Sequence, residues 1–294
     1  MAKGSGILIL VIMAAVAAFL IYQAIPAVSK DKGNFFTTFT WDPDGSQVFG
    51  IGAVAFGSVL TSVLALIIGV PVAVGVALYI SQYAPKIIAR PLAYVVDLLA
   101  AVPSVIFGLW GATFLVAHMV PLSRFLARYF GWIPIFSSPD NIFGKSVFAA
   151  GVVLAVMMLP IVAAISREVF VQTPREHMEG AIALGATRWE TIRMTVLPYG
   201  RSGVISAIVL GFGRAIGETI AVALVLSANY SVSWKILVPG GNTIAANIAN
   251  RYGDAGSIGQ GALIASGLVL FVITLVVNFG ARYVVRRGAK KAAA

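Results

Sequence analysis

Apolar residues along this chain come in long runs rather than in strand-like alternation or heptads. A helix rising 1.5 Å per residue needs about 20 mostly apolar residues to cross a bilayer. Six runs qualify: roughly Ile7–Val28, Ala53–Ile80, Ala93–His118, Ser146–Ser166, Gly203–Leu226 and Gly261–Tyr283. The pattern predicts an all-α polytopic membrane protein with six transmembrane helices, organised as a single transmembrane domain over residues 1–294. The first run follows Lys3 and ends near Ala24 and Pro26. It exceeds the ~7–15 residues of a signal-peptide core, so an uncleaved anchor over about the first 28 residues is expected. Pro71, Pro103 and Pro160 fall inside runs. Each lacks a backbone donor and is expected to kink its helix, which neighbouring membrane helices tolerate.

Composition agrees with the pattern. The chain is 59% hydrophobic and 11% charged, against about 25% charged residues in soluble domains. Too few charges remain to cover a soluble surface. The net charge of +10 does not point to nucleic acid, because the basic residues are spread over loops and the C-terminus. Lys3, Lys86, Arg90, Arg167, Arg175, Arg188, Arg193, Arg201, Arg282, Arg286, Arg287, Lys290 and Lys291 fall on one side, making 13 of 21, with 7 opposite and Arg214 within a span. Lys and Arg in short loops mark the inner side, so both termini are expected in the cytoplasm. The Met119–Lys145 loop then lies outside with Arg124, Arg128 and Lys145, as an ordered exterior cap. The absence of Cys excludes disulfides and thiolate metal sites.

Several polar positions carry little chemistry. Phe143-Gly144-Lys145-Ser146 ends like a P-loop, but the glycine required five residues before Gly144 is Pro139, and no strand precedes it. The chain is expected to bind no ATP itself. His118 and His177 lack metal-ligand spacing and read as interfacial or surface residues. Asp97 is expected about 8 Å into the third helix, near an N-terminus whose dipole favours a carboxylate.

The densest charge lies in the expected cytoplasmic loop, residues 167–202. Thr173-Pro174-Arg175-Glu176 and Thr187-Arg188-Trp189-Glu190 both read as capping boxes. Two short helices should therefore meet at Gly185-Ala186, where glycine can adopt the left-handed conformation that ends a helix. Met178, Ile182, Leu184, Trp189, Ile192 and Met194 supply apolar faces. Lying on lipid headgroups would be the plain use of such a hairpin.

Here the sequence resembles a known family. Glu179-Gly180-Ala181, then Gly185, then Leu197-Pro198 are similar to the EAA loop of ABC-importer permeases. Gly180 stands for the first Ala and Thr195 for the Ile, exchanges that keep small size and similar volume. The resemblance implies that Glu179, Gly180, Ala181, Ala183, Leu184 and Gly185 form a surface docking into an ATPase subunit, with Trp189 as support. Leu99–Gly111 (LAAVPSVIFGLWG) and Gly211–Val222 (GFGRAIGETIAV) look like phosphate-specific Pst permeases, more PstC-type than PstA-type. That family implies a second, PstA-like permease, two PstB-like ATPase subunits holding ATP and Mg, and a PstS-like phosphate-binding protein outside.

Arg214 and Glu218 are expected about 16 and 22 Å along a helix begun at Gly203, near the bilayer midplane. Central charges cost roughly 2.5–3.5 kcal/mol each to insert, about 6 for the pair. The 12 large apolar residues of this run return roughly 4–7 kcal/mol. The sums nearly cancel, so the pair needs neighbours, water or each other. At i, i+4 they share a face with Ala207, Gly211, Gly217 and Ala221 and could pair. A packing salt bridge is one reading. The other is a substrate path in which Arg214 offers planar donors to phosphate oxygens, Glu218 orients it, and a second Arg comes from the partner permease. A permease for another small oxyanion, or a gradient-driven transporter or channel using the same pair, are the alternatives. A gradient-driven carrier has no need for a docking loop.

Overall fold

The computed structural model describes residues 2–138, 140 and 142–292, with side chains described from Gly4 to Tyr283. Pro139 lies outside the described residues, as do the side chains of Lys3, Arg286, Arg287, Lys290 and Lys291. Six helical segments are long and apolar enough to cross a membrane: Gly4–Val28, Gly52–Tyr83, Ser104–Phe130, Val147–Val171, Arg188–Ile216 and Ser257–Tyr283. Four coincide with the expected spans to within a few residues. The third and fifth do not, and both shifts have a physical cause.

The first helix, α1 (Ala2–Val28), leaves most of its apolar side chains exposed, as a lipid-facing helix would. After a short hairpin of β1 (Trp41–Asp42) and β2 (Val48–Phe49) comes α2 (Gly52–Leu78), which continues through a π-helical turn at Tyr79–Tyr83. The chain then reverses into α3 (Lys86–Ala100), a separate helix rather than the start of the third span. Ala101–Pro103 breaks it: proline brings no donor and disfavours helical backbone at the residue before it. The third span is α4 (Ser104–Trp110), a π-turn at Gly111–Leu115 and α5 (Val116–Phe130). The expected exterior loop from Met119 is thus helical as far as Phe130, so Arg124 and Arg128 sit on α5. Asp97 is also corrected. It lies near the C-terminal end of α3, where the dipole disfavours a carboxylate, and Arg167 offsets this at 3.4 Å. His118 bonds the Phe114 carbonyl through Nδ1 at 2.8 Å and stacks on its ring, while His177 is exposed.

The central helix is α6 (Val147–Val171), with Leu154, Met157, Met158, Val162 and Phe170 almost wholly buried. Its Ser146 side chain accepts from the Ala149 amide to start it. Then follow α7 (Arg175–Ala183), α8 (Arg188–Thr191), a π-turn at Ile192–Val196, α9 (Leu197–Ile216), α10 (Ile220–Val225), α11 (Ile244–Arg251) and α12 (Ser257–Ala292). α6 packs against α2 and α9, and α1 packs against α12. Lipid tails give helices no hydrophobic reason to associate, so close packing of small residues does the work. Gly211 of α9 sits where a Cβ would lie 2.8 Å from Val162 and 3.0 Å from Met158. Gly203 faces Val169, so α9 runs antiparallel to α6.

The starts of α2, α6 and α12 share one end of the bundle. There the Ser58 hydroxyl accepts from the Ile244 amide at 2.9 Å, Pro239 bridges to Ser146, and Asp44 accepts from the Gly256 and Gly259 amides at 2.9 Å each. Ser46, through its amide and hydroxyl, holds the neighbouring Asp42 carboxyl below the usual carboxylate range. The opposite end carries α7 and α8.

Candidate functional site

Three constructions meet in this bundle: an exposed helical turn, a pair of broken helices, and a cavity holding an uncommitted arginine.

The turn is shorter than the 167–202 loop expected, because α6 persists to Val171 and the next span begins at Arg188. Its two starts differ. Thr187 accepts from the Glu190 amide at 3.4 Å, and its own amide donates to Glu190 at 2.8 Å, closing the capping box. Thr173 forms no such box: α7 begins one residue later after Pro174, and the buried Thr173 hydroxyl has no partner. The stop is as expected. Gly185 has φ +86, its amide donates to the Ile182 carbonyl at 2.9 Å, and the Ala186 amide donates to Ala181 at 3.1 Å. These are the two bonds of a Schellman ending.

Glu179, Gly180, Ala183, Leu184 and Gly185 are exposed, whereas Ala181 faces inward. Leu184 is 90% exposed, with Ile182, Trp189 and Met194 also open. This apolar projection has no partner among the described residues. It is nonetheless held rigidly from behind. Arg188 donates to the Gln82 carbonyl at 2.5 Å and lies 4.9 Å over the Tyr83 ring. The Gln82 side chain donates in turn to the Phe170 carbonyl at 3.4 Å. One arginine and one glutamine thus tie the turn to the ends of both α2 and α6.

The broken helices are the two segments singled out above, Leu99–Gly111 and Gly211–Val222, and they pack on each other. A Cβ on Gly108 would lie 2.7 Å from the Ala221 Cα, so only glycine permits this approach of α4 to α10. The fifth span does not run on to Leu226. It stops at Ile216, where Gly213 and Gly217 lower helix propensity, and resumes as α10.

This break separates Arg214 from Glu218. The i, i+4 pairing expected of one continuous helix does not form, and among the described residues the single ion pair is Arg167–Asp97. Instead the Glu218 carboxylate accepts from the Ala221 amide at 3.3 Å, meeting a donor that the break left open. Arg214 ends α9 at the level of the middle of α6, as the Gly211 contacts show. It faces a cavity of about 850 Å³ between α6, α9 and α12, shared with Ser206, Asn278 and Arg282. No hydrogen bond or ion pair engages the Arg214 guanidinium among the described residues. Five donors on a permanent cation, half-exposed, therefore face an open groove between α6, α9 and α12. Sequence reasoning did not find Gln82 or Asn278, the tie made by Arg188, or the cavity role of Arg282. All four depend on which helices touch.

Six helices long and apolar enough to cross a membrane, an exposed apolar turn at one end and an unpaired cation at the level of the middle of α6 fit a membrane permease. The chain belongs to the family described as binding-protein-dependent transport system inner membrane component, which matches residues 69–290. It is thus a membrane component of a multi-subunit transporter, not an enzyme. A relative from Mycobacterium tuberculosis, phosphate transport system permease protein PstC 2, is 47% identical over 287 residues, covering 96% of this chain and 88% of the relative. A probable phosphate transport system permease protein PstC from Methanocaldococcus jannaschii is 36% identical over 285 residues, covering 95% and 90%. The fold is shared with solved ABC transporters. A bacterial transporter importing the polysaccharide alginate has a TM-score of 0.56 at 18% identity, covering 96% of both chains. The methionine transporter MetNI in an inward-facing form has a TM-score of 0.55 at 17% identity, covering 81% of this chain and 95% of that one.

Proposed function

We propose that this chain is the PstC-type permease of an ATP-driven importer that carries inorganic phosphate into the bacterial cytoplasm. The observation that carries this reading is the uncommitted Arg214 at the middle of the bundle, facing a cavity wide enough for a hydrated oxyanion. A half-buried arginine at the depth of the bilayer centre, without a carboxylate partner, is costly. A transient anion would relieve that cost, and the names of the relatives identify phosphate as the anion. Arg214 presents a planar fork to two phosphate oxygens. Glu218, bound to the backbone of α10, shapes the break and keeps a negative charge close enough to weaken anion binding and favour release.

The exposed turn couples this path to ATP. Glu179, Gly180, Ala183, Leu184 and Gly185 face a PstB-like ATPase subunit, with Ala181 packed behind them. Two such subunits hold ATP and Mg²⁺. A PstA-like permease completes the membrane unit, and a PstS-like protein delivers phosphate at the end bearing the hairpin. Both chain termini then lie in the cytoplasm.

The test is co-expression with these partners, purification and reconstitution into vesicles. The expected result is ATP-dependent uptake of labelled phosphate that excess sulfate does not inhibit. Sulfate competing on equal terms would make the chain a general oxyanion permease. Uptake without ATP, from a chain that purifies without an ATPase, would refute the coupling role of the turn.

A further inference from the structure

Arg282 was expected only as one of several basic residues marking the inner side. Its position gives it a second role. It lines the same cavity as Arg214, and so does Asn278, one turn earlier on the same face of α12. No acidic residue is among the described residues lining this cavity. Ser206 adds no donor there, because its hydroxyl is committed to the Ser202 carbonyl at 2.9 Å. The free donors are therefore two guanidinium groups and one amide, all suited to oxyanions.

The two arginines sit toward opposite ends of the cavity. α12 starts at the same end of the bundle as α6, and α9 runs antiparallel to α6, so α9 and α12 are antiparallel. Ser206 and Arg282 then mark one end of the cavity and Arg214 the other. Eight residues of α9 separate Ser206 from Arg214, about 12 Å along the helix. The deep end holds Arg214 and the outer end holds Arg282 with Asn278. We infer that Arg282 and Asn278 form a second phosphate station on the cytoplasmic side of Arg214, supplied by this chain itself. The inference rests on the proposed role of Arg214. An anion held at a single strong site leaves slowly, whereas several weaker sites in series let it enter and leave. Anionic lipid headgroups carry the same phosphate chemistry and could reach the outer end, so the test must separate the two sources.

The chain lacks Cys, which permits a direct test in the assembled complex with its partner subunits. Gly213→Cys reports the deep station, where a Cβ meets nothing within 4 Å, and Ala281→Cys reports the outer one. A small thiol reagent is applied in phosphatidylcholine vesicles with and without inorganic phosphate. Phosphate at about ten times its Kd leaves about a tenth of sites empty, so labelling at both positions should slow about tenfold. Adding Arg282→Gln should abolish the protection at position 281 and leave that at 213. Protection at 213 but not at 281, or protection at 281 that survives Arg282→Gln, would overturn the second station alone. No protection at either position would overturn the Arg214 reading as well. Protection at 281 conferred by added phosphatidylglycerol, and not by inorganic phosphate, would make the outer end a lipid site and also overturn the inference.

Discussion

Glu218 shows how a single residue can be right in place and different in role. Its carboxylate lies within reach of the Ala221 amide and not of a guanidinium. A glutamine keeps an oxygen acceptor there, whereas alanine does not. Loss of a capping side chain costs about 1 kcal/mol. Glu218→Gln should therefore leave the thermal stability of the purified complex unchanged, while Glu218→Ala lowers it. If charge at this position also weakens anion binding, Glu218→Gln should tighten phosphate affinity. A glutamine variant as unstable as the alanine one would show that the charge, and not the cap, holds the break together. Gly213 and Gly217 were the only local sign of this. GRAIGETIAV reads as continuous helix by hydropathy, and only packing against Gly108 shows where α10 begins.

At the scale of elements, the turn between α6 and α9 was largely legible. Gly185 takes the left-handed conformation and Thr187 closes its box, because both signals are local. The matching pattern at Thr173 failed because Pro174, one residue later, takes the capping position, leaving the buried Thr173 hydroxyl unpaired. Composition alone locates helices bounded by polar loops, but it cannot see a break inside an apolar run. The breaks at Ala101–Pro103 and Gly217–Thr219 moved the third and fifth spans for that reason. Two outcomes follow for the turn. Gly185→Val forces a β-branched residue into positive φ, at a cost of about 1–3 kcal/mol. ATP-dependent uptake and stimulation of the ATPase should both be lost while the chain still inserts. Normal uptake by that variant would remove the turn from coupling. Arg188→Lys keeps the charge but loses the fork that reaches both the Gln82 carbonyl and the Tyr83 ring. It should preserve docking of the ATPase and lower transport per ATP hydrolysed. An unchanged ratio would mean that the tie to α2 is only structural.

The whole molecule is an assembly of tied ends around an apolar centre. At one end Asp44 and Ser58 meet the open amides of α12 and α11, and at the other Arg188 and Gln82 hold the exposed turn. The orientation expected from the basic residues is open to labelling. In intact cells an impermeant thiol reagent should reach Ser137→Cys and spare Glu176→Cys, and the reverse would invert the protein. Asp44 is unsuitable as a probe because it holds the start of α12. Between the two ends lies Arg214, and the account depends on it most. The decisive measurement is ATP-driven phosphate uptake by the reconstituted complex carrying Arg214→Lys or Arg214→Met. A charge-assisted hydrogen bond is worth about 1.5–3 kcal/mol, or about 10–100-fold in affinity. The account predicts that Arg214→Met assembles with its partners, stays at least as stable as the parent and transports no phosphate. Arg214→Lys should be impaired by at least about tenfold, since it loses the planar fork. Uptake at the parental rate by Arg214→Met would contradict it and leave Arg214 with no part in the phosphate path.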